Sequence, residues 1–338
     1  MEGTAAVTGA NGFVGSNLCD ELVTRGWKVR AIVRPSSSLR WLNQDKVEVW
    51  KTQLSTSDEL SKAVQNVDVV FHCAAQTQAT SIKQLMASNR DTTRDLIQTI
   101  SQSAKPPRLV LVSSVAASGP GKRGMYRLPS DPCRPISHYG FSKRAAEIVA
   151  TEMCDRVPVV IVRPGPVYGE RDMEFLQLFK TLQLLRLNPI PGYFSPFLSM
   201  IHVKDLVDIL IRAAEKGSTV EGEPETTGGK GFYFAADREP TTLASFGSRC
   251  AKSLGLKLMV NLPVPIFIAD GIAVANECYM KLTGKKTNLT RDKIREAAAP
   301  SWVVSPQSTF RDLGCTLEIP MQERIHQTMH WYRAQGLL

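Results

Sequence analysis

The chain has seven cysteines among 338 residues and no CxxC pair. Scattered at 19, 73, 133, 154, 250, 278 and 315, they form neither a disulfide framework nor a zinc-site spacing. They fit reduced thiols in a cytoplasmic protein. Histidine is scarce. His326 and His330 share a helix face, but no glutamate stands beside the first as in the zinc-protease signature, so no metal is expected. No uninterrupted apolar run is long enough to span a membrane. The nearest, 258–275, is broken by Asn261, Pro263, Pro265 and Asp270. It reads as a buried helix of a small domain, with peripheral contact to a membrane surface as the sharper alternative. The net charge of +9 comes with no basic block. Nucleic acid is therefore not an expected partner, and anionic small molecules are. There is no solenoid-length repeat and no low-complexity tract. A first strand beginning by Thr4 leaves no room for a signal peptide.

What the chain has in quantity is alternation. Apolar residues make up 43% and charged residues 22%, which excludes a disordered chain. Short Val- and Ile-rich runs at 4–8, 28–34, 46–50, 68–74, 108–114 and 157–163 read as buried strands. Amphipathic stretches at 14–25, 57–65, 82–104 and 138–155 separate them. Strand and helix in strict succession predict an α/β fold, a doubly wound parallel sheet with right-handed crossovers. After Gly169 the texture changes. Residues 1–170 are expected to form a nucleotide-binding domain, with 200–237 returning to it through a helix at 203–216 and a strand at 232–235. Residues 171–338 form a smaller, mostly helical substrate domain, and 221–231 reads as a surface loop.

The first strand runs into TGANGFVG, with Gly9, Gly12 and Gly15 three apart at a strand-to-helix turn. Glycine there permits positive φ and close backbone approach to a pyrophosphate, and the helix N-terminus beyond supplies free N–H groups. Tyr139 and Lys143 are four apart on a predicted helix and share one face. A free tyrosine is only roughly 0.1% phenolate at pH 7. An ammonium about 4 Å away contributes up to ~4 kcal/mol, about three pKa units, which would bring the phenol into the range of useful proton transfer. NAD binders place an acid about 20 positions after the glycines. Here no acid occurs between Glu21 and Asp45. Arg34, Ser36 and Arg40 stand there instead and look like a site for a ribose 2′-phosphate. NADP is the expected cofactor, with NAD the alternative.

Together these segments resemble the extended short-chain dehydrogenase/reductase family, also called the NAD-dependent epimerase/dehydratase superfamily. TGANGFVGSNL, DVVFHCAA (68–75), SNRDTTRDL (88–96), LVSSVAASG (111–119), YGFSK (139–143), RPGPVYG (163–169) and MIHVKDLVDI (200–209) carry the resemblance across the whole first domain. It implies a Rossmann fold and a catalytic set of Ser114, Tyr139, Lys143 and Asn89. Ser114 is chosen over Ser113 because the family's serine holds the second place of such a pair, five before the glycine, here Gly119. Lys143 would also donate to the nicotinamide ribose. Besides the three glycines and Arg34, Ser36 and Arg40, cofactor contacts are implied at Asn11, Phe13, Val14, Gln53, Leu54, Ala74, Ala75, Tyr139, Lys143, Pro164 and Val167.

Substrate identity is less sharply written. Nucleotide-sugar epimerases carry an asparagine in the segment matching RPGPVYG, where this chain has Pro166. RPGPVYGERD and GKGFYFAADREPTTLASF (229–246) resemble the 3β-hydroxysteroid dehydrogenase/isomerase branch. RAIVRPSSSLRWL (30–42) and LTRDKIREAAAPSWVVSP (289–306) resemble dihydroflavonol-reductase-like proteins and bacterial hopanoid-associated relatives. Both imply hydride transfer with a hydrophobic, sterol-like or polycyclic alcohol or ketone. The alternative is a sugar or nucleotide-sugar epimerase or reductase. A non-catalytic cofactor sensor, which would typically lose YxxxK, is disfavoured. Segment 172–200 offers Met173, Phe175, Leu176, Phe179, Leu182, Tyr193, Phe194 and Phe197 for a greasy cleft, although much of it must be core. Helices 82–104 and 138–155 are expected side by side, where relatives often dimerise, with Ile97, Ile100, Ala146, Val149 and Ala150 supplying apolar side chains. A homodimer is an expectation from resemblance more than from pattern.

Overall fold

Val- and Ile-rich runs with no polar alternation become the strands of one parallel sheet. The computed structural model describes residues 3–338 except 80, 193–194, 223–228 and 284–289, and the side chain of Lys281. The middle of the 221–231 loop and the Tyr193–Phe194 pair of the expected cleft thus lie outside the described residues.

Strand β1 (Thr4–Thr8) leads through the glycine turn into α1 (Phe13–Thr24), then β2 (Lys28–Val33), β3 (Glu48–Lys51), α2 (Asp58–Val64) and β4 (Val69–His72). Helix α3 (Ile82–Leu85), a π-helical turn (Met86–Asp91) and α4 (Thr92–Ile100) precede β5 (Arg108–Val112). The short α5 (Val115–Ser118), α6 (His138–Glu152) and β6 (Val159–Pro164) follow. Next come β7 (Val167–Tyr168), α7 (Met173–Leu185), β8 (Leu187–Pro191), β9 (Phe197–Leu198), β10 (Ile201–His202), α8 (Val203–Lys216) and β11 (Phe232–Ala235). The remainder is β12 (Thr241–Thr242), α9 (Leu243–Leu254), β13 (Val260–Val264), α10 (Ile266–Thr283), α11 (Arg291–Ala297), β14 (Ser301–Trp302), α12 (Gln307–Leu313) and α13 (Met321–Ala334).

The seven-stranded sheet has the order β11-β6-β5-β4-β1-β2-β3, parallel throughout. Strand order reverses between β1 and β4. The crevice beyond the carboxyl ends of those strands is where open α/β sheets bind ligands. Helices α1 and α8 cover one face. Leu18 and Leu22 of the first meet Leu206, Val207 and Leu210 of the second over the sheet. Helices α2, α4 and α6 cover the other face through Leu60, Leu96, Ile97 and Val149. Both faces being covered explains why β4, β6 and β11 are buried at every residue. A third cluster joins α7, α9, α13 and β14 through Leu176, Phe179, Phe246, Trp302 and Tyr332.

Four expectations change. The helix expected at 82–104 is interrupted by the π-helical turn, which re-aims Asn89 into the interior. Leu176, Phe179 and Leu182 of α7 are fully buried core side chains, because that face of the helix packs on α9 and α13 instead of lining a cleft. Ile97, Ile100, Ala146, Val149 and Ala150 are likewise interior, leaving Ile82 and Phe141 as the exposed large apolar side chains of that surface among the described residues. The apolar segment 258–275 is not a buried helix. Strand β13 is exposed at four of its five residues and α10 buries only a narrow stripe.

Candidate active site

The glycine turn holds the backbone where side chains cannot go. Gly9 has φ of +65°, and a Cβ on it would stand 2.7 Å from the Ala74 Cα. A Cβ on Gly15 would stand 2.3 Å from the Gly9 carbonyl oxygen. Helix α1 therefore begins pressed against the end of β1. No side chain caps it and no acid occupies its first turn, so its free N–H groups face the crevice as a ready anion site. Asn11 donates to the Ser38 carbonyl at 3.2 Å and so ties the turn to the loop after β2. That loop carries Arg34, Ser36 and Arg40, all exposed, with the Arg40 guanidinium 4.4 Å from the Trp41 ring centroid. The residues present thus fit a dinucleotide: a glycine cradle, an uncapped helix start and two arginines where an NAD site would carry an acid.

The other named cofactor positions sit at or just past the carboxyl ends of successive strands. Gln53 and Leu54 follow β3, Ala74 and Ala75 follow β4, Pro164 ends β6 and Val167 begins β7. Leu54 also packs into the core beside Trp50, and Phe13 and Val14 pack partly into the opposite one. Their side chains thus serve packing while their backbone borders the crevice.

Beyond β5 the chain turns sharply and the two serines part. Ser113 is buried and donates to Glu147 Oε1 at 2.6 Å. Ser114 caps α5, accepting from the Ala116 N–H at 3.1 Å, and its hydroxyl lies near enough to the Tyr139 phenol to favour the phenolate. Tyr139 opens α6. That helix starts there because Ser137 accepts the Gly140 N–H at 2.9 Å, and Gly140 admits the close approach of the Ala116 carbonyl. One turn on, Lys143 is 2% exposed and donates to the Val112 carbonyl at 2.7 Å. Asn89 reaches the same place through the π-helical turn. It accepts from the Gln76 N–H at 2.8 Å and donates to the Gln76 carbonyl at 3.0 Å and to Ser142 Oγ at 2.8 Å. Ser142 in turn donates to the Tyr139 carbonyl. The four named catalytic residues therefore converge at the ends of β4 and β5.

The electrostatics differ from the simple pairing of phenol and ammonium. Burial, and after it the Glu296 carboxylate, push the Tyr139 phenol above its ordinary value, and the Ser114 hydrogen bond only partly offsets them. Burial also brings Lys143 down to about 8, against the opposing pull of Glu147 and Cys73. The expected depression of Tyr139 by Lys143 is not found: the ammonium is given to the Val112 carbonyl, and desolvation disfavours the phenolate. Beneath lies a support the spacing reading missed. Glu147 is fully buried and takes two 2.8 Å bonds from Arg163, one from Ser113 and one from Arg144. Burial works against its charge, but Arg163 and these hydrogen bonds hold the carboxyl below its ordinary value. Its signal in the sequence is a second step of four beyond Lys143. His72 is buried between Thr8 and Thr93, and burial lowers it to about 3, so it is a neutral strut at physiological pH.

A cavity of about 400 Å³ opens beside Tyr139. Its far wall is α10 and α11, through Glu277, Met280, Arg291, Asp292 and Glu296. Asp292 accepts the His138 and Tyr139 N–H groups at 2.9 and 3.1 Å, and Glu296 accepts from Ser137 at 2.5 Å. The start of the Tyr139 helix is thus clamped from the C-terminal half. Thr290 N-caps α11 and is legible as such, but where that helix docks is not. A larger surface cleft of about 590 Å³ lies by Asp20, Asp208 and Arg324, away from these groups, and takes no part in the site. Among the described residues, no three His, Cys, Asp or Glu side chains are grouped to hold a metal ion.

Comparison with known proteins agrees with this fold. Residues 5–225 match the NAD-dependent epimerase/dehydratase family. The chain is 28% identical over 337 residues to a ceramide reductase of Caulobacter vibrioides, covering 99% of this chain and 96% of that protein. It is 27% identical to a sterol-4-alpha-carboxylate 3-dehydrogenase of Dictyostelium discoideum, over 78% of this chain and 81% of the relative. Among solved structures, that of gox2253 superposes with a TM-score of 0.79 at 23% identity over the full length of both chains. MoeE5 in complex with UDP-glucose and NAD superposes with a TM-score of 0.76 at 22% identity, over 99% and 100% of the two chains. Because that family match covers well over half of its length, the chain belongs to the NAD-dependent epimerase/dehydratase family, within the extended short-chain dehydrogenases/reductases.

Proposed function

We propose that this enzyme transfers a hydride between NADP and a hydrophobic alcohol or ketone, with Tyr139 as the proton donor and acceptor. The observation that carries the reading is the meeting of Ser114, at the end of β5, with Tyr139, which borders the cavity one helix turn from the buried Lys143. A nicotinamide held beyond the glycine turn supplies or accepts the hydride. Every other task falls to the chain. Ser114 donates a hydrogen bond to the reacting oxygen and stabilises the charge that develops there. Tyr139, kept protonated by its burial, releases its proton to that oxygen as the carbonyl is reduced. Lys143 holds a proton at Nζ, anchored by the Val112 carbonyl and supported by Glu147. Asn89 fixes the Gln76 backbone and, through Ser142, the first turn of the Tyr139 helix.

For the substrate class, support comes from several sides. Pro166 has no N–H, and its carbonyl is spent on Ile201 at 3.1 Å, where nucleotide-sugar epimerases carry an asparagine. Relatives include a ceramide reductase and sterol dehydrogenases. Residues 1–170 with 200–237 would hold the cofactor, and the rest of 171–338 the substrate, in the cytoplasm. Arg34, Ser36 and Arg40 favour NADP over NAD. The alternative, a nucleotide-sugar epimerase, has the fold of MoeE5 and a 29% identical UDP-glucose 4-epimerase of Vibrio cholerae behind it. Incubating the protein with NADPH or NADP⁺ and a panel of steroids, long-chain ketones, flavonoids and nucleotide sugars, while following reduced-nicotinamide absorbance, separates the two. Turnover confined to nucleotide sugars, with micromolar binding of uridine diphosphate, would transfer the assignment to the epimerase.

A further inference from the structure

Helix α10 breaks the ordinary rule for a surface helix. Its sequence, IFIADGIAVANECYMKLT, is apolar nearly all round, yet the described side chains it buries are Ala269, Ala273 and Met280. A helix of this composition normally lies inside a protein or against lipid, and a surface helix turns a polar face outward. Here the outward side offers Phe267, exposed at 75%, with Ile268, Ile272 and Val274, and ends at Leu282, exposed at 86%. Single exposed apolar residues need no explanation, but a continuous set does. The set continues backward through Pro265 into β13, where Val260 and Leu262 are exposed, and to Leu258 before it. Strand β13 pairs with β8, and Leu184 and Leu185 stand exposed just ahead of that strand.

The charge around this face has one dominant sign. Arg186 just ahead of β8, Lys257 just ahead of β13 and Lys252 in the last turn of α9, which packs on β8, are exposed, whereas α10 has one exposed carboxylate, Asp270. The second acid of the helix, Glu277, is bound by Arg291 at 3.0 Å. The whole chain carries +9. An apolar strip edged by cations complements an anionic lipid surface, where acyl chains take the strip and headgroups take the lysines. The opposite side of the same helix is functional. Met280 and Glu277 line the cavity that holds Tyr139.

We propose that α10 and β13 form the face with which this enzyme rests on an anionic bilayer, so that a lipid ketone or alcohol passes beneath α10 to Tyr139. The inference deepens the reading of a hydrophobic substrate and rests on it. The bilayer would be touched and not crossed, since no described helix is long and apolar enough to span it.

Vesicle sedimentation tests the face without any substrate. The full chain should sediment with vesicles of phosphatidylcholine and phosphatidylglycerol in equal parts, less with phosphatidylcholine alone, and less again in 1 M salt, where the Debye length is about 3 Å. Phe267→Asp combined with Ile272→Asp should lower the partition coefficient at least tenfold while leaving the circular dichroism spectrum and melting unchanged. Lys252→Ala combined with Lys257→Ala should lower it roughly 25-fold on the anionic vesicles, about fivefold per lysine. Wild-type protein that stays in the supernatant with both vesicles overturns the proposal. Aspartate variants that bind as well as wild type do the same. A wild-type dimer that these variants convert to monomer, with no vesicle binding, would instead assign the face to a second copy of the chain. Turnover of a long-chain ketone in detergent micelles reads the substrate class separately, so failure of that reading and failure of the membrane face give different results.

Discussion

Replacing Glu147 with Gln probes the support under Lys143. The side chain stays the same size, but the negative charge between Arg163 and Ser113 disappears. Arg163 is 1% exposed and has two 2.8 Å bonds to this carboxylate. After the change its guanidinium faces an amide that presents N–H to one of its own N–H groups, inside a wall made by Phe232 and Phe234. Leaving one member of a buried pair uncompensated costs about 3–5 kcal/mol. The unfolding entropy of a chain this long is about 0.7 kcal/mol per kelvin, so Tm should fall by roughly 5 °C. Replacing both partners, Glu147→Gln with Arg163→Met, should cost clearly less than the sum of the single changes. The acid limb should change as well. Because the folded carboxyl sits below its ordinary value, its stabilisation is present above the unfolded pKa of about 4.3 and is lost as pH falls through the folded one. The Gln variant should lack that component. Thermal and urea melts followed by circular dichroism across pH give all these quantities. A single-variant loss below 1 kcal/mol, or strict additivity in the double variant, would refute the buried-pair argument.

Tyr139→Phe should reduce kcat by roughly 10²–10⁴ with cofactor affinity nearly unchanged, and retention of more than a tenth of the activity removes Tyr139 from the mechanism. NADPH should bind at least tenfold tighter than NADH, and Arg34→Asp should reverse the order, as read by quenching of protein fluorescence; equal affinities would sink the role of Arg34. Gly9→Ala places a methyl 2.7 Å from the Ala74 Cα at positive φ, so cofactor binding should be lost and Tm lowered; a variant that binds NADPH normally contradicts the cradle. Lys143 has a folded pKa of about 8, below its unfolded value of about 10.4. The unfolded chain binds more protons between those values, so Lys143 should make stability rise with pH across that window, and Lys143→Met should flatten the rise. A homodimer through α3, α4 and α6 would have Phe141 and Ile82 as its exposed large apolar anchors among the described residues; light scattering that gives a monomer mass at micromolar concentration rejects it.

Local pattern alone determined the sheet, the glycine turn and the helix bearing Tyr139 and Lys143. Each depends on residues close in sequence: Val and Ile runs with no polar face, three glycines at a turn, and a step of four on one helix. Ser114 was chosen over Ser113 by resemblance, from its place five before Gly119. What occupies Ser113 instead, the buried Glu147 of α6, became visible only in three dimensions. The same holds for the direction in which Tyr139 is shifted. Lys143 was legible beside it, but its ammonium turns to the Val112 carbonyl, and burial and Glu296, more than a hundred residues away in sequence, raise the phenol. Leu176, Phe179 and Leu182 looked like a cleft and are core, because only packing on α9 and α13 tells an apolar helix face where it ends. The reverse happened at α10. An apolar composition argued for burial, and the tertiary structure left most of that helix outside, since a helix is buried only where another element arrives to cover it.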